Sequence, residues 1–63
     1  MQTFKVTGMT CAHCERAVTG AIKARDAAAE VEVDLETGVV KVASGLDEAA
    51  IRQAIEDEGY QVR

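Results

Sequence analysis

Apolar and polar residues alternate along residues 3–7, with Phe4 and Val6 on one side and polar residues on the other. This period of two predicts a β-strand that buries one face. Gly8 ends the alternation, and from about residue 13 or 14 the apolar residues recur every three to four positions. That spacing predicts an amphipathic helix, whose buried face would consist of Cys14, Val18, Ala21 and Ile22.

The second half of the chain has a similar layout. Residues 31–35 alternate and predict a second strand, and residues 39–43 predict a third. The short turn at residues 36–38 between the two predicts a β-hairpin. A second amphipathic helix follows, with Ser44 or Asp47 as its N-terminal cap and with its end near Glu58. The inner face of this helix would consist of Leu46, Ala50, Ile51, Ala54 and Ile55.

Residues 60–62 add a short last strand, so the predicted element order is β-α-β-β-α-β. This order predicts an α+β fold, the ferredoxin-like sandwich, in one domain over residues 1–63. Two right-handed crossovers would place both helices on one face of a four-stranded antiparallel sheet with spatial order 4-1-3-2. The alanine-rich residues 26–30 join the first helix to the second strand, and their pattern does not define a shape.

The composition limits what such a chain can do. A chain of 63 residues buries only about 60% of its unfolded surface, which is too little to enclose an active-site cavity. Its net charge of −4 provides no overall basic surface for nucleic acid or an anionic membrane. No apolar run approaches the ~20 residues that span a bilayer, and the first residues do not form a signal peptide. We therefore expect a cytoplasmic protein without nucleic-acid binding or membrane insertion.

The only two cysteines, Cys11 and Cys14, form one C-x-x-C between the first strand and the first helix. Two cysteines are too few for a disulfide scaffold. The partial positive charge at a helix N-terminus favours thiolates, which bind metals and attack disulfides. Two soft sulfurs suit Cu(I), whereas structural zinc normally requires four ligands. The spacing therefore predicts a metal site or a redox site.

The segment GMTCAHC at residues 8–14 and the segment EGY at residues 58–60 resemble the heavy-metal-associated (HMA) domain family. The likeness extends over essentially the whole chain and is greatest to small bacterial copper chaperones of the CopZ type. Residues 25–30 depart from the turn that the family often has after its first helix. The resemblance implies that the metal ligands are Cys11 and Cys14.

Two further roles follow from the resemblance. Met9 matches a methionine that turns inward and supports the loop, and Tyr60 matches an aromatic residue beside the metal. The family would carry Cu(I) through the cytosol to a copper-transporting P-type ATPase or its metal-binding domain, or to a copper-responsive regulator. Transfer would proceed by ligand exchange between thiolates, which is not enzymatic turnover. Ag(I), Zn(II), Cd(II) and Hg(II) also bind thiolates, so the sequence does not select among these ions.

Several alternatives stay open at this stage. His13 is either an additional metal ligand or an exposed loop residue, and an exposed two-thiolate site also permits a metal-bridged homodimer. The chain could be a free chaperone, which the initial Met1 favours, or a metal-binding domain cut from a copper ATPase. The same motif also permits two other functions, those of a mercury-carrying protein and of a small thiol–disulfide oxidoreductase.

Overall fold

The computed structural model describes residues 2–9 and 11–63, which form one four-stranded sheet and two helices. The elements are β1 (Gln2–Thr7), α1 (Ala12–Arg25), β2 (Glu30–Asp34), β3 (Val39–Ala43), α2 (Glu48–Asp57) and β4 (Gln61–Val62). The strand order is β2-β3-β1-β4 and every pairing is antiparallel, as the predicted 4-1-3-2 arrangement requires. No helix within the described residues has the length and apolar character needed to cross a membrane.

The core lies between the sheet and the two helices. The strands supply the buried residues of one face, and each helix supplies the side chains at its apolar spacing, as the periodicity predicts. None of the described polar or charged side chains is buried in this core. The buried hydrophobic residues are Phe4, Val6, Met9, Val18, Ile22, Ala29, Val40, Val42, Ile51, Ala54 and Ile55.

The first helix begins earlier than the predicted residue 13 or 14. Cys11 has an extended backbone (φ −149°, ψ 166°), and its carbonyl accepts the N–H of Glu15 at 3.1 Å, so Ala12 is the first helical residue. Ala12 and His13 are exposed. The apolar pattern cannot report this first turn because neither side chain faces the core.

The structure decides between the two predicted caps of α2. The carboxylate of Asp47 accepts the N–H of Ala50 at 2.8 Å, which makes Asp47 the cap. Ser44 instead accepts the N–H of Leu46 at 3.2 Å and closes the turn before the helix.

The alanine-rich link after α1 is organised by one aspartate. Asp26 accepts the N–H of Ala28 through Oδ1 and the N–H of Gly45 through Oδ2, both at 3.1 Å. The carbonyl of Asp26 also accepts the N–H of Ala29 at 3.0 Å, and the side chain of Ala29 is buried. The link therefore forms a compact turn bonded to the loop before α2.

The turn between β2 and β3 depends on a glycine. Gly38 has φ +76°, and its carbonyl accepts the N–H of Val6 at 2.7 Å. A Cβ at Gly38 would lie 2.6 Å from the carbonyl oxygen of Val6. Both the backbone conformation and the space therefore exclude a side chain at this position.

We predict that Gly38→Ala lowers the stability of the folded chain by about 2 kcal/mol or more, because it adds a clash to an unfavourable backbone conformation. The matched control is Gly20→Ala, since Gly20 lies inside α1 and nothing stands within 4 Å of its added Cβ. That change should stabilise the protein by about 1 kcal/mol through helix propensity. Thermal unfolding followed by circular dichroism measures both. Equal melting temperatures for the two variants would contradict this description of the turn.

Candidate metal-binding site

The loop that carries the cysteines is held at both of its ends. Gly8 follows β1 with φ +89°, and a Cβ added there would lie 3.5 Å from Cδ1 of Tyr60. Met9 is only 4% exposed and packs in the hydrophobic core, as predicted for an inward-turning residue. Its thioether is therefore directed away from solvent. Thr10, which belongs to the predicted motif, lies outside the described residues.

The two cysteines occupy the start of α1. Cys11 is the residue before the first turn and is exposed, whereas Cys14 lies within that turn and is half-buried against the core. The side chain of Cys11 does not cap the helix. The backbone N–H groups and the dipole of this helix end therefore provide a positive environment for the two sulfurs.

The Sγ atoms of Cys11 and Cys14 lie 3.0 Å apart and share a hydrogen bond. A disulfide would require about 2.05 Å, so the two residues are not joined by a disulfide. Two metal–sulfur bonds of about 2.3 Å each can span up to ~4.6 Å, so one ion can reach both atoms. Because Cys11 is exposed, its side chain has room to rotate as the ion binds.

Tyr60 lies beside this pair, as the resemblance implies. A hydrogen bond to Cys14 is the largest of the influences that raise the pKa of Tyr60 to about 12 from the ordinary 10.0. Partial burial and the negative charges of Cys14, Cys11 and Glu58 act in the same direction. The phenol therefore stays protonated and donates to sulfur. Sequence reasoning did not single out Glu58 for this role, although it belongs to the EGY segment.

His13 is exposed on the first turn of α1. Within residues 2–9 and 11–63, no three or more His, Cys, Asp or Glu side chains come together as a set that could hold one ion. The structure therefore brings Cys11, Cys14 and Tyr60 together but does not add His13 to a ligand cluster. Among the described residues, the candidate donors that lie together are the two cysteine sulfurs.

Comparisons with known proteins identify the family to which the chain is similar. Residues 3–61 match the family model of the heavy-metal-associated domain. The copper chaperone CopZ of Staphylococcus saprophyticus is 42% identical, over 98% of this chain and 96% of its own. The solved structure of the copper chaperone Atx1 from Synechocystis PCC6803 is 36% identical and superposes with a TM-score of 0.97 over all of both chains.

The chain belongs to the heavy-metal-associated domain family. Within that family, it is similar to free-standing chaperones and also to part of a transporter. Copper-transporting ATPase 1 of Rhizobium meliloti is 43% identical over 100% of this chain, which spans only 8% of the ATPase. The predicted ferredoxin-like fold and the predicted family are thus confirmed.

The Tyr60 geometry predicts an alkaline titration. Tyr60 is the only tyrosine, so the ultraviolet absorbance of phenolate reports it alone. In the reduced, metal-free protein the midpoint should lie near pH 12, against about 10 in the denatured chain. Since the unfolded chain releases this proton first, folding stability is present below pH 10 and falls as the pH rises from 10 to 12.

The matched variants separate the hydrogen bond from the charge. Cys14→Ala removes both and should lower the Tyr60 midpoint clearly toward 10. Cys11→Ala removes only a more distant charge and should lower it less. A midpoint that Cys14→Ala leaves unchanged would contradict the hydrogen bond.

Proposed function

We propose that this chain is a cytoplasmic Cu(I) carrier, in which Cys11 and Cys14 bind one ion and deliver it to the thiolates of a partner. The observation that carries the proposal is the pair of reduced thiols, with their sulfur atoms 3.0 Å apart, at the exposed end of a helix. Support also comes from the relatives named copper chaperones, one of which is matched over nearly its full length.

The donor set favours Cu(I) over the other ions considered. Cu(I) binds well to soft thiolates, while a structural zinc site normally has four protein ligands. Within residues 2–9 and 11–63 no third ligand clusters with the two sulfurs, and such a pair suits an ion of low coordination number. Ag(I) and Hg(II) share the preference for thiolates and would use the same pair. Zn(II) and Cd(II) would require additional ligands, which His13 or a second molecule would have to supply.

Ligand exchange accounts for delivery without release of a free ion. A partner thiolate forms a bond to the bound Cu(I) beside the exposed Cys11 and gives a three-coordinate bridged complex. A sulfur–copper bond to this chain then breaks, and the thiolate left behind takes up a proton from water. Copper stays in the Cu(I) state, and no covalent bond within a substrate changes. The chain therefore acts as a carrier and not as an enzyme.

The proposed recipient is a copper-transporting P-type ATPase or its metal-binding domain. The 43% identity to a segment of a copper-transporting ATPase supports a recipient that carries a domain similar to this chain, whose thiolates would accept the ion. The same identity supports the second candidate, in which this chain is itself the metal-binding domain of an ATPase. A copper-responsive regulator and a metal-bridged homodimer would use the same exposed cysteines.

A thiol–disulfide oxidoreductase is the candidate function from a different class, since the 3.0 Å contact between the thiols leaves them close enough to form a disulfide. A carrier would hold Cu(I) and show no reductase turnover with a disulfide substrate. An oxidoreductase would turn over and compete poorly for the ion.

We predict that the reduced protein binds one Cu(I) per chain, or one per dimer, in anaerobic competition with a Cu(I) chelator. Replacing both cysteines by serine should abolish this binding and leave the circular dichroism of the metal-free fold unchanged. Tyr60→Phe removes only the hydroxyl. It should weaken Cu(I) binding by about tenfold, as the loss of a hydrogen-bond partner of a metal ligand typically does.

His13→Ala is the matched control in the same turn and should leave the Cu(I) affinity nearly unchanged. Retained one-to-one binding in the double serine variant would exclude Cys11 and Cys14 as the ligands. A loss of affinity in His13→Ala as large as in a single cysteine variant would make His13 a ligand.

A further inference from the structure

The strand β2 forms one outer edge of the sheet. The carbonyl of Gly38, just before β3, accepts the N–H of Val6 in β1. In an antiparallel sheet every second residue of a strand bonds the same neighbouring strand, so alternate residues of β3 after Gly38 also direct their N–H and C=O groups toward β1. The intervening residues of β3 form their backbone hydrogen bonds with β2, where their partners in the register are Glu30, Glu32 and Asp34. The N–H and C=O groups of Val31 and Val33 therefore point outward along the open edge.

A groove runs beside this edge, between β2 and α1. The side chains of Val31 and Val33 face it and are half-buried. On the helix side the groove is lined by Arg16, Thr19 and Gly20, and the space above Gly20 is open to at least 4 Å. An extended segment bonded to the edge would thus find room for an apolar side chain between the strand and the helix.

The opposite face of the same edge is acidic. Glu30, Glu32 and Asp34 alternate with the two valines and are all exposed. On the neighbouring strand β3, the basic residue Lys41 lies opposite Glu32. A segment added to the edge would place every second side chain beside these carboxylates, where a basic residue is favoured.

The same charges disfavour a second copy of this chain on the edge. Antiparallel pairing of β2 with itself through Val31 and Val33 would place carboxylates of one copy opposite carboxylates of the other in each available register. Like charges directly opposite in a sheet are destabilising, and charged edges commonly prevent such self-association. The occupant that fits is therefore a different chain with the opposite charge.

We propose that the β2 edge binds an extended segment of a partner protein in which basic and apolar residues alternate, as a fifth strand of the sheet. Backbone bonds to Val31 and Val33 would provide the affinity, and the acidic side chains would select the sequence. The two valines and three carboxylates of this edge are not among the candidate metal ligands. Glu15, which follows Cys14, borders the groove, so a bound segment would begin close to the metal loop.

The test uses the full chain, reduced and metal-free, with a capped Lys-Val-Lys-Val-Lys peptide matched to the five residues of β2. Amide NMR spectra at low ionic strength should show shifts centred on Val31, Val33 and Gly20. The N–H groups of Val31 and Val33 should also exchange with solvent more slowly when the peptide is bound. The same peptide with alternate backbone nitrogens methylated keeps its charge but cannot form the ladder, and it should not bind.

Charge reversal tests the selectivity. Glu32→Lys should weaken binding of the basic peptide by about fivefold or more, the size of one cross-strand charge pair. Glu56→Lys makes the same change in net charge on the exposed surface of α2 and should leave the affinity nearly unchanged. Circular dichroism establishes that both variants are folded.

Three results would overturn the proposal. Equal binding of the methylated peptide would show that the peptide binds through surface charge alone and not as an added strand. Shifts centred away from Val31 and Val33 would place the peptide elsewhere. If Glu32→Lys and Glu56→Lys weakened peptide binding equally, the acidic residues of the edge would not select the peptide. Because the methylated peptide is tested on the unaltered protein, the conclusion does not depend on the folding of a variant.

Discussion

The junction between the central strand β1 and the helix α1 is the constraint on which the site depends. β1 is paired with β3 on one side and with β4 on the other, so its end has a fixed position in the sheet. Met9 then enters the core, and Cys11 takes the extended conformation from which the helix begins. Core packing on one side of the loop thereby leaves a thiol exposed on the other.

The same junction makes the two cysteines unequal. Cys14 is half-buried, packs on the core and receives the hydrogen bond of Tyr60, whereas Cys11 lies before the helix and is exposed. In the proposed metal site, the sulfur of Cys14 would be held firmly while the sulfur of Cys11 stays accessible. That combination would suit the proposed carrier, which has to pass its ion on, better than a closed site with four ligands would.

Local patterns in the sequence predict most of the fold because the strands and the helices each bury one face. They fail where a contact joins distant residues: the bond from Asp26 to the loop at Gly45 spans 19 positions and leaves no periodic signal. The start of α1 also escapes them, since Ala12 and His13 face solvent. The C-x-x-C spacing identifies the candidate ligands, but the hydrogen bond between Tyr60 and Cys14 emerges only once β4 is paired with β1.

The proposed carrier would release Cu(I) directly to another thiolate site and not to solvent. The most direct measurement mixes the Cu(I)-loaded protein with the metal-free metal-binding domain of a copper-transporting ATPase, in the presence of a Cu(I) chelator that reports free ion. The account predicts transfer between the proteins that is faster than loss to the chelator and slower at high salt, since charged surfaces guide the encounter. Transfer limited by the rate at which copper first reaches the chelator would contradict it.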